Sequence, residues 1–193
     1  MKYEHKDYLH DKNSDDLLHT KSLARFRNYY EKLGKEPVQL SQQLEKERIN
    51  FIQPFGRIIE LGCHCGFISL HYAQKGFEVV GVDISYPLID EANKRLSVLE
   101  DEAKNRCRFI VSDIESLDPK EIGYFDTIIL TETLEHCIDP DVLVKKAKEL
   151  MSDKSKIFIS APAERCGDKG SHLRGINKKY INKIANSLDL NIS

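Results

Sequence analysis

Between Lys21 and Ile52, apolar side chains at Leu23, Phe26, Tyr30 and Leu33, then at Leu40, Leu44 and Phe51, recur at roughly helical spacing among charged residues. This predicts two amphipathic helices with a break near Gly34 and Pro37, preceded by a polar stretch over residues 1–20. After Pro54 the pattern changes to short, nearly continuous apolar runs separated by helical stretches. Strands covered by helices on both faces read this way, because neither side of such a strand meets water. The runs are Arg57 to Leu61, Glu78 to Val82, Arg108 to Val111, Phe125 to Leu130 and Lys156 to Ile159. Five strands alternating with helices predict an α/β fold built on a doubly wound, mostly parallel sheet, with a helical extension before it.

The helix after the second strand carries clear punctuation. Ser85 is placed to cap it, Pro87 suits its first turn, and Leu88, Ala92, Leu96 and Leu99 form its buried stripe. A further helix, Asp141 to Met151, is expected after the fourth strand, and a last one over about Lys178 to Leu188.

At 193 residues the chain suits one substantial core. Its 29 basic residues nearly balance 31 acidic ones, for a net charge of −2, which argues against a strongly basic nucleic-acid binder. The absence of a long apolar run predicts no membrane span, and the polar start lacks a signal-peptide core, so a cytoplasmic protein is expected. Cys63, Cys65, Cys107, Cys137 and Cys166 then read as reduced thiols. Cys63 and Cys65 around His64 are too close in sequence to share one tetrahedral zinc easily, and no second pair matches them.

The candidate chemistry gathers at the strand ends, where a doubly wound sheet binds ligands near its topological switch point. The first strand runs into Glu60, Leu61, Gly62, Cys63, His64, Cys65 and Gly66, and a helix begins near Phe67. Gly62 and Gly66 allow close backbone approach and a sharp turn. The second strand ends in Asp83, whose carboxylate is placed to accept hydrogen bonds from both hydroxyls of a ribose. The third ends in Ser112, Asp113 and Ile114, a polar group beside an apolar wall. A tight turn alone would account for the glycines, and a helix cap for Asp83; their joint spacing points to an adenosine pocket. The phosphate-binding GxGxxG of a nicotinamide dehydrogenase is absent.

The successive segments IIELGCHCG, GVDIS, FIVSDIESL and YFDTIILTETLEH resemble the motifs of class I S-adenosylmethionine-dependent methyltransferases, over roughly residues 55 to 190. The resemblance implies a Rossmann-like methyltransferase domain over residues 56–193, with residues 1–55 as a polar tail and helical lid. By the same likeness Glu60, Gly62 and Gly66 surround the methionine part of the cofactor, and His64 stands where the family usually has its middle glycine. Asp83 with Ile84 holds the ribose, Asp113 with Ile114 frames adenine, and Thr131 completes the cofactor set. Such proteins usually end with two more strands, and this sequence stops at Ser193, where the first of them is expected to begin; an excised piece of a longer domain is one expectation, and a homodimer or a partner covering the sheet edge is the other.

The fourth strand runs into Thr131, Glu132, Thr133, Leu134, Glu135, His136 and Cys137. A helical turn there would set Glu132, Glu135 and His136 at i, i+3 and i+4 on one face. Three readings stay open: a structural or cofactor-shaping role, His136 as general base oriented by a carboxylate, or a magnesium or manganese site on Glu132, Glu135 and His136. The segment resembles the Glu-x-x-Glu-His element of ubiquinone-pathway O-methyltransferases and small-RNA 2′-O-methyltransferases. After the fifth strand a basic stretch with Arg165, Lys169, His172 and Arg174 suits an anionic acceptor, and His172 is a second candidate base or a fourth ligand. The expected activity is methyl transfer to a hydroxyl or amine of a small acceptor. The alternatives are RNA 2′-O-methylation and a non-enzymatic cofactor-binding subunit.

Overall fold

The computed structural model describes residues 46–137, 139–162, 175–188 and 190. The chain alternates strand and helix: β1 (Ile58–Leu61), α2 (Phe67–Gln74), β2 (Val79–Asp83), α3 (Tyr86–Ser97), α4 (Asp101–Lys104), β3 (Cys107–Val111), α5 (Pro119–Ile122), β4 (Phe125–Thr131), α6 (Pro140–Glu149), β5 (Met151–Ser160) and α7 (Lys178–Ser187). A helix over residues 46–51, α1, precedes them. Short 3-10 turns follow β3 (Ile114–Ser116) and β4 (Leu134–His136). The sheet has the order β3-β2-β1-β4-β5 with every pairing parallel, so its switch point lies between β1 and β4.

β1, in the middle of the sheet, is buried from end to end and divides its side chains between two cores, as a period of two demands. Ile59 and Leu61 face a cluster with Leu143, Val144 and Ala147 of α6 and Ile184 of α7. Ile58 faces the other cluster, with Ile68, Leu70, Tyr72 and Ala73 of α2. Ile52 is buried in that second cluster. The remainder of the expected lid, residues 21–45, lies outside the described residues. No helix among the described residues is long and apolar enough to cross a membrane.

Two expectations need correction. The fifth strand was expected over Lys156 to Ile159, but β5 starts at Met151, inside the helix expected to end there; α6 stops at Glu149. The extension comes from polar residues held by side-chain bonds, Ser152 Oγ donating to Asp126 Oδ1 at 2.7 Å and Ser155 Oγ to the Phe125 carbonyl at 2.6 Å, which an apolar run cannot signal. Ser85 does stand at the N-cap of α3, yet its side chain makes no capping bond.

Gly66 has φ +74, and a Cβ built there would lie 2.4 Å from the Phe109 ring; Gly76 has φ +93 with open space around it. Gly66→Ala therefore combines left-handed strain with a clash and should cost about 2–4 kcal/mol, whereas Gly76→Ala should cost only about 1–2 kcal/mol. Urea unfolding of the two variants checks this, and equal losses would contradict the packing role of Gly66.

Candidate functional site

The turn after β1 is built by the strand beside it. The Val82 carbonyl accepts from both Gly62 N at 2.8 Å and Cys63 N at 2.9 Å, which carries β1 past its last ladder bond and then reverses it. Gly66 N donates to the Cys63 carbonyl at 2.8 Å and closes the turn. Within these five residues Gly62, His64 and Gly66 have positive φ, of 82°, 51° and 74°. Gly62 also has no room for a side chain, since a Cβ would meet Thr133 at 2.6 Å. Thr133 anchors the other side of the switch point, its hydroxyl within 3.1 Å of the Leu61 carbonyl.

Asp83 joins this turn to α3. Its Oδ2 accepts from His64 N at 2.9 Å and its Oδ1 from Ser85 N at 2.9 Å. Ser85 Oγ, by contrast, is buried and has no hydrogen-bond partner among the described residues. Glu60 is 3% exposed beneath the turn, where its Oε2 accepts from Ser69 N at 2.9 Å and Ser69 Oγ at 2.5 Å. Burial, with the charges of Asp83 and Glu60 added to it, holds the Cys63 thiol well above its ordinary range, and burial pushes Cys107 up to about 12. Among the described residues, Cys63, Cys65, Cys107 and Cys137 are thiols outside any disulfide.

At the end of β3, Asp113 caps the 3-10 turn by accepting from Glu115 N at 3.0 Å, and Ile114 packs against the α6 side of the core. Ile84 is half-buried between β2 and α3, and Thr131 is the last residue of β4.

The expected helical turn after Leu130 does not form as foreseen. Only Leu134–His136 are helical, as a 3-10 turn, while Glu132 sits just past the strand with φ 53. Glu132 thus turns towards β5: its N donates to the Ser160 carbonyl at 3.0 Å and its Oε1 accepts from Ser160 Oγ at 3.1 Å. Glu135 is 1% exposed, and His136 beside it keeps 44% of its side chain exposed with Nε2 3.9 Å from Glu135 Oε1. The described residues contain no group of three or more His, Cys, Asp or Glu able to hold a metal, so the proposed set of Glu132, Glu135 and His136 is not assembled. Its premise, one shared helical face, is removed by the left-handed backbone of Glu132. His172, Arg165, Lys169 and Arg174 lie outside the described residues.

Two contributors were missed. Thr133 had no signal beyond its neighbours, and Arg48, whose Nη2 lies 3.4 Å from Glu132 Oε2, comes from a helix far away in sequence.

A glycine turn after β1 and an acid at the end of β2, beside the switch point of an all-parallel sheet, fit the Rossmann-like fold of class I S-adenosylmethionine-dependent methyltransferases. The chain belongs to the methyltransferase-domain family, which it matches over residues 59–157, just over half its length. It is 32% identical over 104 residues to a ubiquinone biosynthesis O-methyltransferase of Xanthomonas euvesicatoria pv. vesicatoria (strain 85-10), a match covering 54% of this chain and 42% of the relative. The chain thus spans less than half the length of that relative. Magnesium protoporphyrin IX methyltransferase from Synechocystis PCC 6803, solved with bound SAM, superposes with a TM-score of 0.70 at 21% identity, over 95% of this chain and 90% of that one. The [4+2]-cyclase SpnF has a TM-score of 0.63 at 16% identity, over 77% of this chain and 56% of that one.

Asp83→Ala removes the acceptor for two backbone donors at once and should destabilise the protein by about 1–3 kcal/mol in urea unfolding. Ser85→Ala should be nearly neutral, although loss of a working N-cap typically costs about 1 kcal/mol. A full cap-sized loss in Ser85→Ala would show that its hydroxyl is engaged after all.

Proposed function

We propose that this chain transfers a methyl group from S-adenosylmethionine to a hydroxyl of a small acceptor. The observation that carries this reading is a carboxylate and an imidazole, Glu135 and His136, on the short turn beyond β4, across the switch point from the glycine turn. The hydroxyl preference draws support from the O-methyltransferase relative.

The cofactor would supply an electrophilic methyl on a sulfonium, open to in-line displacement. The residues present fit such a group. Each Asp83 oxygen uses one lone pair on a backbone N–H, and a carboxylate with about four acceptor sites can still receive two vicinal hydroxyls. The bonds to His64 and Ser85 fix its orientation beforehand, so little order is lost when a ribose binds. Ile84, Asp113 and Ile114 are the residues proposed around the adenine, and Gly62, His64 and Gly66 around the amino-acid end, with Glu60 acting from below through Ser69.

On the acceptor side His136 is exposed enough to meet a hydroxyl and is proposed to take its proton as the oxygen attacks, a contribution typically of 10²–10⁴ in rate. Glu135, buried next to it with Oε1 3.9 Å from Nε2, is proposed to orient the imidazole and to stabilise the imidazolium that forms.

Labelled methyl from S-adenosylmethionine, followed into fractionated small molecules and RNA, tests the reading; label confined to RNA would reverse it. Asp83→Ala should weaken S-adenosylhomocysteine binding by roughly 10- to 100-fold in calorimetry. His136→Ala should slow turnover by roughly 10² to 10⁴ and leave cofactor affinity within a few-fold. A large affinity loss with normal turnover at saturation would move His136 into the cofactor pocket. Activity should persist in excess chelator, and its loss there, restored by magnesium or manganese, would revive the metal reading.

A further inference from the structure

Arg48 has no part in the reading so far, yet the fold holds it firmly. The helix that carries it is tied to the sheet on several sides: Ile52 is buried, the Tyr72 hydroxyl lies 2.9 Å from the Ile49 carbonyl and 3.1 Å from that of Ile52, and Phe51 packs edge-on against Phe158 at 5.8 Å. From this base the Arg48 guanidinium reaches the carboxyl end of β4 and meets Glu132 at 3.4 Å.

Stability does not account for that meeting. With side-chain exposures of 25% for Arg48 and 29% for Glu132, the pair is screened by solvent and of the kind that adds little to folding. At 3.4 Å it is also longer than the roughly 2.7–2.9 Å of a tight charge-assisted bond. Yet Glu132 adopts φ 53, uncommon for a residue with a side chain, and Ser160 fixes its other oxygen at 3.1 Å. Backbone strain of this sort gathers where a site needs a group held in one place.

We infer that Arg48 is a specificity-determining residue for the acceptor: its guanidinium binds a carboxylate of the acceptor, and Glu132 is the internal counter-ion that keeps it aimed at the end of β4. The inference rests on the methyl-transfer reading for its location. A planar guanidinium offers parallel N–H donors that match the two oxygens of a carboxylate, a geometry a lysine does not supply. An incoming carboxylate can share or replace Glu132 on Arg48, at the same carboxyl end of β4 that leads into the turn carrying Glu135 and His136. A neutral acceptor of the same shape leaves Arg48 on Glu132 and gains nothing from it.

The test uses the full chain saturated with S-adenosylhomocysteine and two probes that differ by one group, 3,4-dihydroxybenzoate and catechol, with affinities measured by calorimetry. The unmodified chain should bind the carboxylated probe at least roughly tenfold more tightly. Arg48→Gln should bring the ratio near one while S-adenosylhomocysteine affinity stays within twofold, and Arg48→Lys should keep part of the preference. Glu132→Gln should preserve or increase it. A merely structural Arg48 would weaken both probes alike. Failure of the unmodified chain to bind 3,4-dihydroxybenzoate, a ratio near one in it, or a preference that survives Arg48→Gln would overturn the inference. Absence of methyl transfer to any acceptor, with the Arg48-dependent preference intact, would instead remove the methyl-transfer reading and leave the carboxylate site standing.

Discussion

Asp83 is the point on which the site depends. Its two carboxylate oxygens receive backbone N–H groups from residues 19 positions before it and two after it. One bond holds the turn after β1 in place, and the other starts α3, so the strand-to-helix crossings after β1 and β2 share one anchor. A hydrogen bond to a charged acceptor contributes about 1.5–3 kcal/mol. That is enough to offset the roughly 1–2 kcal/mol of a left-handed residue with a side chain, which is what His64 requires. His64 can therefore occupy a position suited to glycine without loss of the turn, because the bond comes from its backbone. What changes is the side chain presented at the turn.

The floor beneath this turn is buried and closely packed. Phe109 fills the space that side chains on Gly66 and Gly81 would take, and Glu60 directs its carboxylate into the start of α2 through Ser69. With Cys63 buried beside these acids, its thiol stays neutral and behaves as a small apolar group rather than a nucleophile. The side of the glycine turn is thus shaped by bonds between β1, β2 and the turns that follow them. The opposite side, beyond β4, is assembled from remote pieces: Ser160 at the end of β5, Thr133 against Gly62, and Arg48 from before β1.

That difference explains how much could be read from the sequence. Buried parallel strands announce themselves as apolar runs, and β1 to β4 lie within a residue of where those runs suggested. The glycine turn and Asp83 were legible because their spacing follows from strand length and turn geometry, which are local. The first half of β5 was not, because Ser152 and Ser155 satisfy the strand through side-chain bonds to Asp126 and Phe125. Nor was the conformation of Glu132. A glutamate favours helix in isolation, and only the neighbouring strand, offering a carbonyl and a hydroxyl on Ser160, overrides that preference. Arg48 was beyond reach for the same reason: an ion pair between distant segments leaves no periodicity.

A shared fold does not decide the reaction, as likeness to both a methyltransferase and a [4+2]-cyclase makes plain. Past β4 the chain sets two glutamates in unlike surroundings. Glu135 is almost fully buried against His136, whereas Glu132 stands at the solvent edge, bonded to Ser160 and facing a guanidinium. A carboxylate in a dry setting acts strongly on the one group beside it, while one in a screened setting acts mainly by holding position. The same side-chain chemistry is thereby divided between a buried acid beside the His136 imidazole and a partly exposed one held between Ser160 and Arg48. The left-handed backbone of Glu132 makes that division possible, since a continuous helical turn would have placed both acids on one face and left them competing for the same partner.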